Sequence, residues 1–419
     1  MRRGSTGLLL IVALATAQPG AATAQEWTRF RGPNGSGVST TARIPATWTT
    51  DDYLWEVELP GVGHASPVLW GKKLFIYSAD PETATRFLTC INADTGNTLW
   101  EKSFETAKYE IRNLNSYASS TPAVDAELVY IAWSTGHETT LAAFTHDGEH
   151  VWDHSVGPYN SRHGFATSPI VVGDLVILNN QQLAAGGRDG QFGGGTSFLL
   201  ALDRKTGDVR WQTPRNSSIA SHSIPCVLQP ESGPPQLIFT STAHGITGVD
   251  IATGEELWSL PNVFEQRCVG SPVVAGELVL ATNGNGAGAN SLLAVKPGPE
   301  PAAAYSVRRQ APYVPTPVVK GDLTFLWSDR GIVTCVDLAS GDVHWRKRVG
   351  GNYFSSPVIA GDRLYCTDLD GVVVVLAADR KYELLGRNSL GDQCHATPAV
   401  AHGRMYQRTF RHLIAIPGE

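Results

Sequence analysis

Residues 197–211 read S-F-L-L-A-L-D-R-K-T-G-D-V-R-W. The apolar run from Phe198 to Leu202 is too short for a helix and suits a buried strand. Asp203 through Gly207 then reverses the chain. The Asp carboxylate accepts backbone N–H groups two residues on, and Gly207 takes positive φ at no steric cost. A short second strand ends on Trp211. The unit Asp/Asn-x-x-Thr/Ser-Gly-x-x-x-Trp returns at residues 92–100, 250–258 and 337–345, with a weaker copy from Asp147-Gly148 to Trp152. The spacing from glycine to tryptophan is the same in every copy, which marks a structural repeat.

A second half-repeat accompanies the first. Ser-Pro, Thr-Pro or Ile-Pro opens a β-rich run at Pro67, Pro122, Pro169, Pro225, Pro272, Pro317, Pro357 and Pro398. Intervals of roughly 40 to 56 residues fit four short strands per unit, the size of a propeller blade. Runs such as 171–178 and 372–376 are rich in β-branched residues, and no segment sustains a helical period. The expected fold is all-β: an eight-bladed β-propeller of four-stranded antiparallel blades. The proline-led strand is expected innermost and the tryptophan outermost, between blades. The eighth unit lacks a fourth strand, whereas Leu54-Trp55-Glu56-Val57 resembles a fourth strand without a blade. Trp55 is therefore predicted beside 413–416, sealing the ring and leaving no open edge. Blade five lacks the tryptophan, and blade seven offers Tyr382 instead.

The chain has 419 residues, 17% of them charged, and a formal charge of −6. That balance argues against broad nucleic-acid binding, which needs a basic face. Residues 1–24 read as a secretory signal. Arg2 and Arg3 precede an apolar stretch too short to span a bilayer, and Ala22-Thr23-Ala24 offers a cleavage site. A periplasmic or secreted monomer is expected, with no integral membrane segment after signal removal. No cysteine lies near the cleavage site, so no lipid anchor is expected. Residues 25–50 read as an ordered surface extension, with Trp27, Phe30 and Trp48 docked on the barrel wall; residues 51–419 form the propeller. Cys90 and Cys335 share one repeat position and Cys268 and Cys394 another. No CxxC or zinc spacing occurs, and buried free thiols are expected for most of the six cysteines.

The Asp-x-x-Thr-Gly-x-x-x-Trp units resemble the tryptophan-docking repeats of the PQQ-like β-propeller family, over nearly the whole chain after the leader. The opening W-x-x-F-R-G-P-x-x-x-G, residues 27–37, is similar to that of exported PQQ-like repeat proteins. The resemblance implies the fold but not the chemistry. The family's quinoproteins stack their quinone on a tryptophan over the central channel. They hold Ca²⁺ with Glu, Asn and Asp, carry a catalytic Asp and usually have an adjacent-cysteine disulfide. This chain has no Cys-Cys pair, and no such ligand set matches residue by residue. The BamB branch consists of assembly lipoproteins, and the lipobox cysteine is missing here. The expected role is a binding or interaction module with no cofactor. A PQQ- and calcium-dependent dehydrogenase of alcohols or sugars, and a scaffold for outer-membrane protein assembly, are the alternatives.

Ligands of propellers enter near the axis, on the face where the inner strands begin. Three histidines stand three residues before a repeat proline: His64, His222 and His395. Tyr117, Arg162, His163, Arg267 and Tyr353 fall nearby. Together they form the candidate channel mouth for a protein or small-molecule ligand; catalytic residues are unknown. Histidine is the usual metal ligand and proton carrier near neutral pH. Blades one and eight are neighbours, however, and blade four lies across a wide ring, so convergence on one metal is not expected. The insert 179–196 belongs to the same face. It does not lead from a strand into a helix, so a dinucleotide loop fails its structural requirement. Residues 283–286, N-G-N-G, read as a turn. His137-Glu138, Asp368 and Asp370 read as solvated turn positions.

Overall fold

In the computed structural model, which describes residues 25–184 and 195–419, each repeat folds into its own antiparallel sheet. The first blade is Val68–Trp70, Lys73–Ala79, Arg86–Asn92 and Thr98–Phe104, each strand paired with the next. Eight such sheets close the ring, and the innermost strands of adjacent blades touch around the axis. Second strands such as Leu175–Asn180 are buried throughout, because neighbouring blades cover both faces. Outer strands such as Val209–Arg215 alternate, since only one face has a neighbour. The last blade is completed from the other chain end. Trp55 pairs with Ala415, and Val57 with Leu413, as the sequence predicts.

The tryptophan motif is one joint shared by two blades. Trp211 donates its indole N–H to the Ile251 carbonyl of the next blade at 2.9 Å. Trp100, Trp152 and Trp345 do the same to His146, Arg204 and Asp379. The receiving turn needs its glycine twice over. Gly254 has φ +75°, and a Cβ there would lie 2.6 Å from the Trp211 ring. The degenerate fifth blade offers no such turn. Trp258 accordingly donates to Gln236 Oε1 of its own blade at 2.7 Å. The fifth blade's own joint uses Tyr305, whose hydroxyl donates to the Leu338 carbonyl at 2.8 Å.

Blade seven departs from expectation. Tyr382 does not take the tryptophan position; it packs edge-on against Trp345, with ring centroids 5.3 Å apart. Gly386 stands there, opposite Val375. The bare glycine lets residues 46–48 cross the blade. Trp48 from the extension fills the joint, buried against Tyr365 with centroids 6.5 Å apart.

The rest of the extension corrects the sequence reading more strongly. Residues 25–39 do not lie on the outer wall but run inside the central channel. Trp27 bridges Leu69 of blade one, and the Thr28 carbonyl accepts from the Val124 N–H of blade two. Arg29 donates to the Pro225 carbonyl of blade four at 2.7 Å. Arg31 donates to the Pro317 carbonyl of blade six at 2.9 Å. Val38–Ser39 adds a parallel strand to Val358–Ala360 of blade seven. The physical reason is the width of an eight-bladed ring. Its innermost strands leave carbonyls facing the axis, and buried carbonyls need donors. Burial pushes the Arg29 pKa down to about 10 and that of Arg31 to about 9. Both stay charged at neutral pH, and charged donors make the stronger bonds. All six cysteines are buried and free.

Candidate functional site

The segment leading into each repeat proline is extended, so alternate residues face the axis. The residues three before the proline are His64, Ser119, Ala166, His222, Val269, Val314, Phe354 and His395. All eight line one cavity of about 590 Å³ at the channel mouth. The residues one before the proline line it too, in seven of the eight blades. Most carry a hydroxyl that laces one blade to the next. Thr121 N–H donates to Ser168 Oγ at 2.9 Å, Thr316 N–H to Ser356 Oγ at 3.0 Å, and Ser356 N–H to Thr397 Oγ1 at 2.9 Å. The seam between blades eight and one is tied differently. The guanidinium of Arg408 donates to the Ala65 and Tyr77 carbonyls at 3.1 and 2.6 Å. Phe30, from the channel segment, supplies the floor. The channel is thereby a blind cup.

Five of the eight predicted site residues line this cup: His64, His163, His222, Arg267 and His395. They form two separate groups. On one side His64 and His395 pack with centroids 4.2 Å apart and rings tilted by 41°, flanked by Phe410 and Phe354. Burial depresses both imidazoles. His395 falls to about 4, and His64 falls well below its ordinary value, with help from His395 and Arg408. Both are neutral at pH 7. On the other side Arg267 Nη1 donates to His163 Nε2 at 2.9 Å and to the Tyr313 hydroxyl at 3.1 Å. His222 beside them is pushed to about 3 by burial and by the Arg267 charge, and its two buried ring nitrogens have no hydrogen-bond partner. The third histidine thus joins a different cluster, as the ring geometry leads one to expect.

Three predicted residues lie outside the cup. Tyr353 is fully buried in the wall between blades six and seven, edge-on to Trp327 at 5.3 Å. Its N–H is drawn down there by the Asp329 carbonyl. Tyr117 turns away because its hydroxyl donates to the Tyr109 carbonyl and its ring receives the Arg86 guanidinium. Arg162 is exposed on the loop. Asp368 is not the solvated turn residue expected; it is 6% exposed and accepts the Val372 and Asp370 N–H groups. Residues 283–286 are more than a turn, since Asn285 and Gly286 line the cup and Gly284 bridges Arg267. Of the blade-three insert, residues 185–194 lie outside the described residues.

Sequence reasoning missed the remaining lining residues. The signal was present: the register that picked out the histidines picks out all eight inward residues when read at every repeat. Arg112, Tyr313, Asp329 and Arg330 belong to loops and carried no repeat signal. Asp329 is the single carboxylate among the described lining residues. Both its oxygens are used, accepting the Tyr313 and Val314 N–H groups at 2.7 and 3.0 Å. The residues present do not fit the quinone and calcium arrangement that the resemblance implies. No tryptophan among the described residues lines the cup. Among the described residues no group of three His, Cys, Asp or Glu is placed to hold a metal ion.

Tryptophan-joined blades around a mouth-side cup define an eight-bladed propeller of the PQQ-like repeat class. A family described as "Outer membrane protein assembly factor BamB" matches at residues 42–224, 193–295 and 302–384, and the chain belongs to that family. It is 23% identical to the outer membrane protein assembly factor BamB of Escherichia coli strain K12 over 356 residues, covering 83% of this chain and 84% of that protein. Among solved structures it is similar to BamB from Moraxella catarrhalis: TM-score 0.60, 14% identity, 87% of this chain and 98% of that one. It also matches the quinohemoprotein alcohol dehydrogenase of Comamonas testosteroni: TM-score 0.68, 12% identity, 94% of this chain and 81% of that one. At these identities the structural likenesses speak for the fold alone. No helix of the described residues is long and apolar enough to cross a membrane.

Proposed function

We propose that this protein is an exported binding module whose cup holds a small molecule or a segment of a partner. The carrying observation is that the central channel ends blindly on Phe30, because the chain's own extension plugs it. A cavity of about 590 Å³ has the size of ordinary small-molecule sites, and its apolar walls carry a few convergent polar groups. The leader-like residues 1–24 and the family's link to the outer membrane support export. The family match favours a second reading, a scaffold in outer-membrane protein assembly. That role is read out by the proteins the chain captures rather than by a compound held in the cup.

One experiment separates the two. The full chain and its Ala166→Trp variant, which fills the cup, are incubated with cell extract, passed through gel filtration and analysed by mass spectrometry. A compound retained by the parent and lost from the variant is the expected result. If neither retains a compound and both capture outer-membrane assembly proteins equally, the scaffold reading replaces this one.

A further inference from the structure

The charge of the cup runs against the charge of the chain. The whole sequence is acidic, at −6, yet among the described residues the cup is lined by Arg112, Arg267 and Arg330 with only Asp329 against them. Asp329 is spent on two backbone amides. Among the described residues none of the three guanidiniums meets a carboxylate within ion-pair distance. A cation in a concave, partly apolar wall acts through a lower dielectric than one on an open surface, so its field is focused on the cavity.

Arg267 is also held in place. His163 Nε2 and the Tyr313 hydroxyl both take Nη1, and the backbone bridges Gly284. Nε is buried away from the cavity, and among the described residues no hydrogen bond occupies Nη2. Nη1 is fixed, and Nη2 is the donor left for an acceptor in the cup. A fork oriented in advance is the arrangement that suits a carboxylate, at less entropic cost than a free side chain. Blades eight and one, across the ring, present the opposite character. There the neutral rings of His64 and His395, tilted 41° to each other, and Phe354, edge-on to His395, make an aromatic corner.

Resting on the binding-module reading, we propose that the ligand of this cup is a small carboxylic acid with an apolar ring, its carboxylate on Arg267 and its ring in the corner between Phe354 and His395. Arg330 and Arg112 add attraction at the rim. A cationic ligand is disfavoured by the same three charges.

The test is calorimetric titration of the full chain with phenylpropionate, its methyl ester and phenylpropylamine. A peptide ending in Phe, as free acid and as amide, is titrated alongside. The acid is expected to bind at least about tenfold more tightly than the ester or amine, the factor expected for a charge-assisted hydrogen bond. Arg267→Gln should erase that preference. Should Arg267→Gln fail to fold, Arg330→Gln must weaken the acid and reduce its salt dependence while leaving the ester unchanged. Binding of the peptide acid but not of phenylpropionate keeps the carboxylate and assigns it to a chain end. Equal binding of acid and ester, weakened alike by Phe354→Ala, overturns the carboxylate and leaves the cup reading standing. No binding of any probe, with no change in hydrogen exchange at 352–356 or 267–271, removes both.

Discussion

His64 and His395 pack with ring centroids 4.2 Å apart at the cup wall, and both imidazoles are uncharged at neutral pH. Their folded-state pKa values lie below the ordinary 6.5, so the unfolded chain binds more protons at mildly acidic pH. The stability they contribute is complete above about 6.5 and is lost as pH falls toward about 4. His222, at about 3, acts in the same direction and continues further down. Carboxylates such as Asp203 and Asp337, held low by backbone N–H bonds, lose their share only below the ordinary carboxylate range. In the window from about 6.5 to about 4, the Asp329 and Asp368 carboxyls, raised by burial, act the opposite way as pH falls, so the difference between the parent and a histidine variant isolates the histidines' share. Urea midpoints across that window should fall for the parent, and His395→Phe should flatten the slope. An unchanged slope would show that the pair is solvated and protonates freely.

At the scale of the strand and turn, the joint between blades decides stability. Trp211 and Gly254 are its two halves, in blades three and four. Trp211→Ala should cost about 3–5 kcal/mol, as for other buried aromatic truncations. Gly254→Ala should cost more than the ~1–2 kcal/mol of a left-handed residue alone, because its Cβ meets the indole at 2.6 Å. In the Trp211→Ala background that clash is gone, and the glycine substitution should revert to its conformational cost alone. The double-mutant cycle by chemical denaturation is then strongly non-additive; simple additivity would mean that the two residues do not touch.

At the scale of the molecule, two segments ahead of the first complete blade do two tasks. Residues 25–39 plug the channel, and Trp55–Glu58 completes the eighth blade. Deleting residues 25–50 removes the plug and the Trp48 joint but leaves the ring closed. Deleting residues 25–58 also exposes the edge of His412–Pro417, and an unpaired strand edge is a template for association. Light scattering should give the first deletion the mass of one chain less the deleted part, and the second a mixture of larger species. The first should also fail to retain any cup ligand, because the floor has gone. Identical masses for the two would place the ring's closure elsewhere.

The all-β class, the number of blades and the closing strand were legible in the sequence. Each depends on short-range chemistry repeated many times: an Asp that caps a turn, a glycine at positive φ, a tryptophan at a fixed offset, apolar runs of strand length. The cup's wall register was legible too, though the histidines alone drew attention to it. The channel plug, its floor and the charge of the cup were settled by the fold. Arg29 meets Pro225 across 196 positions, and Arg31 meets Pro357 across 326. Contacts so distant in the chain exist only once the ring has closed and left a width that something must fill, and no local pattern records that width.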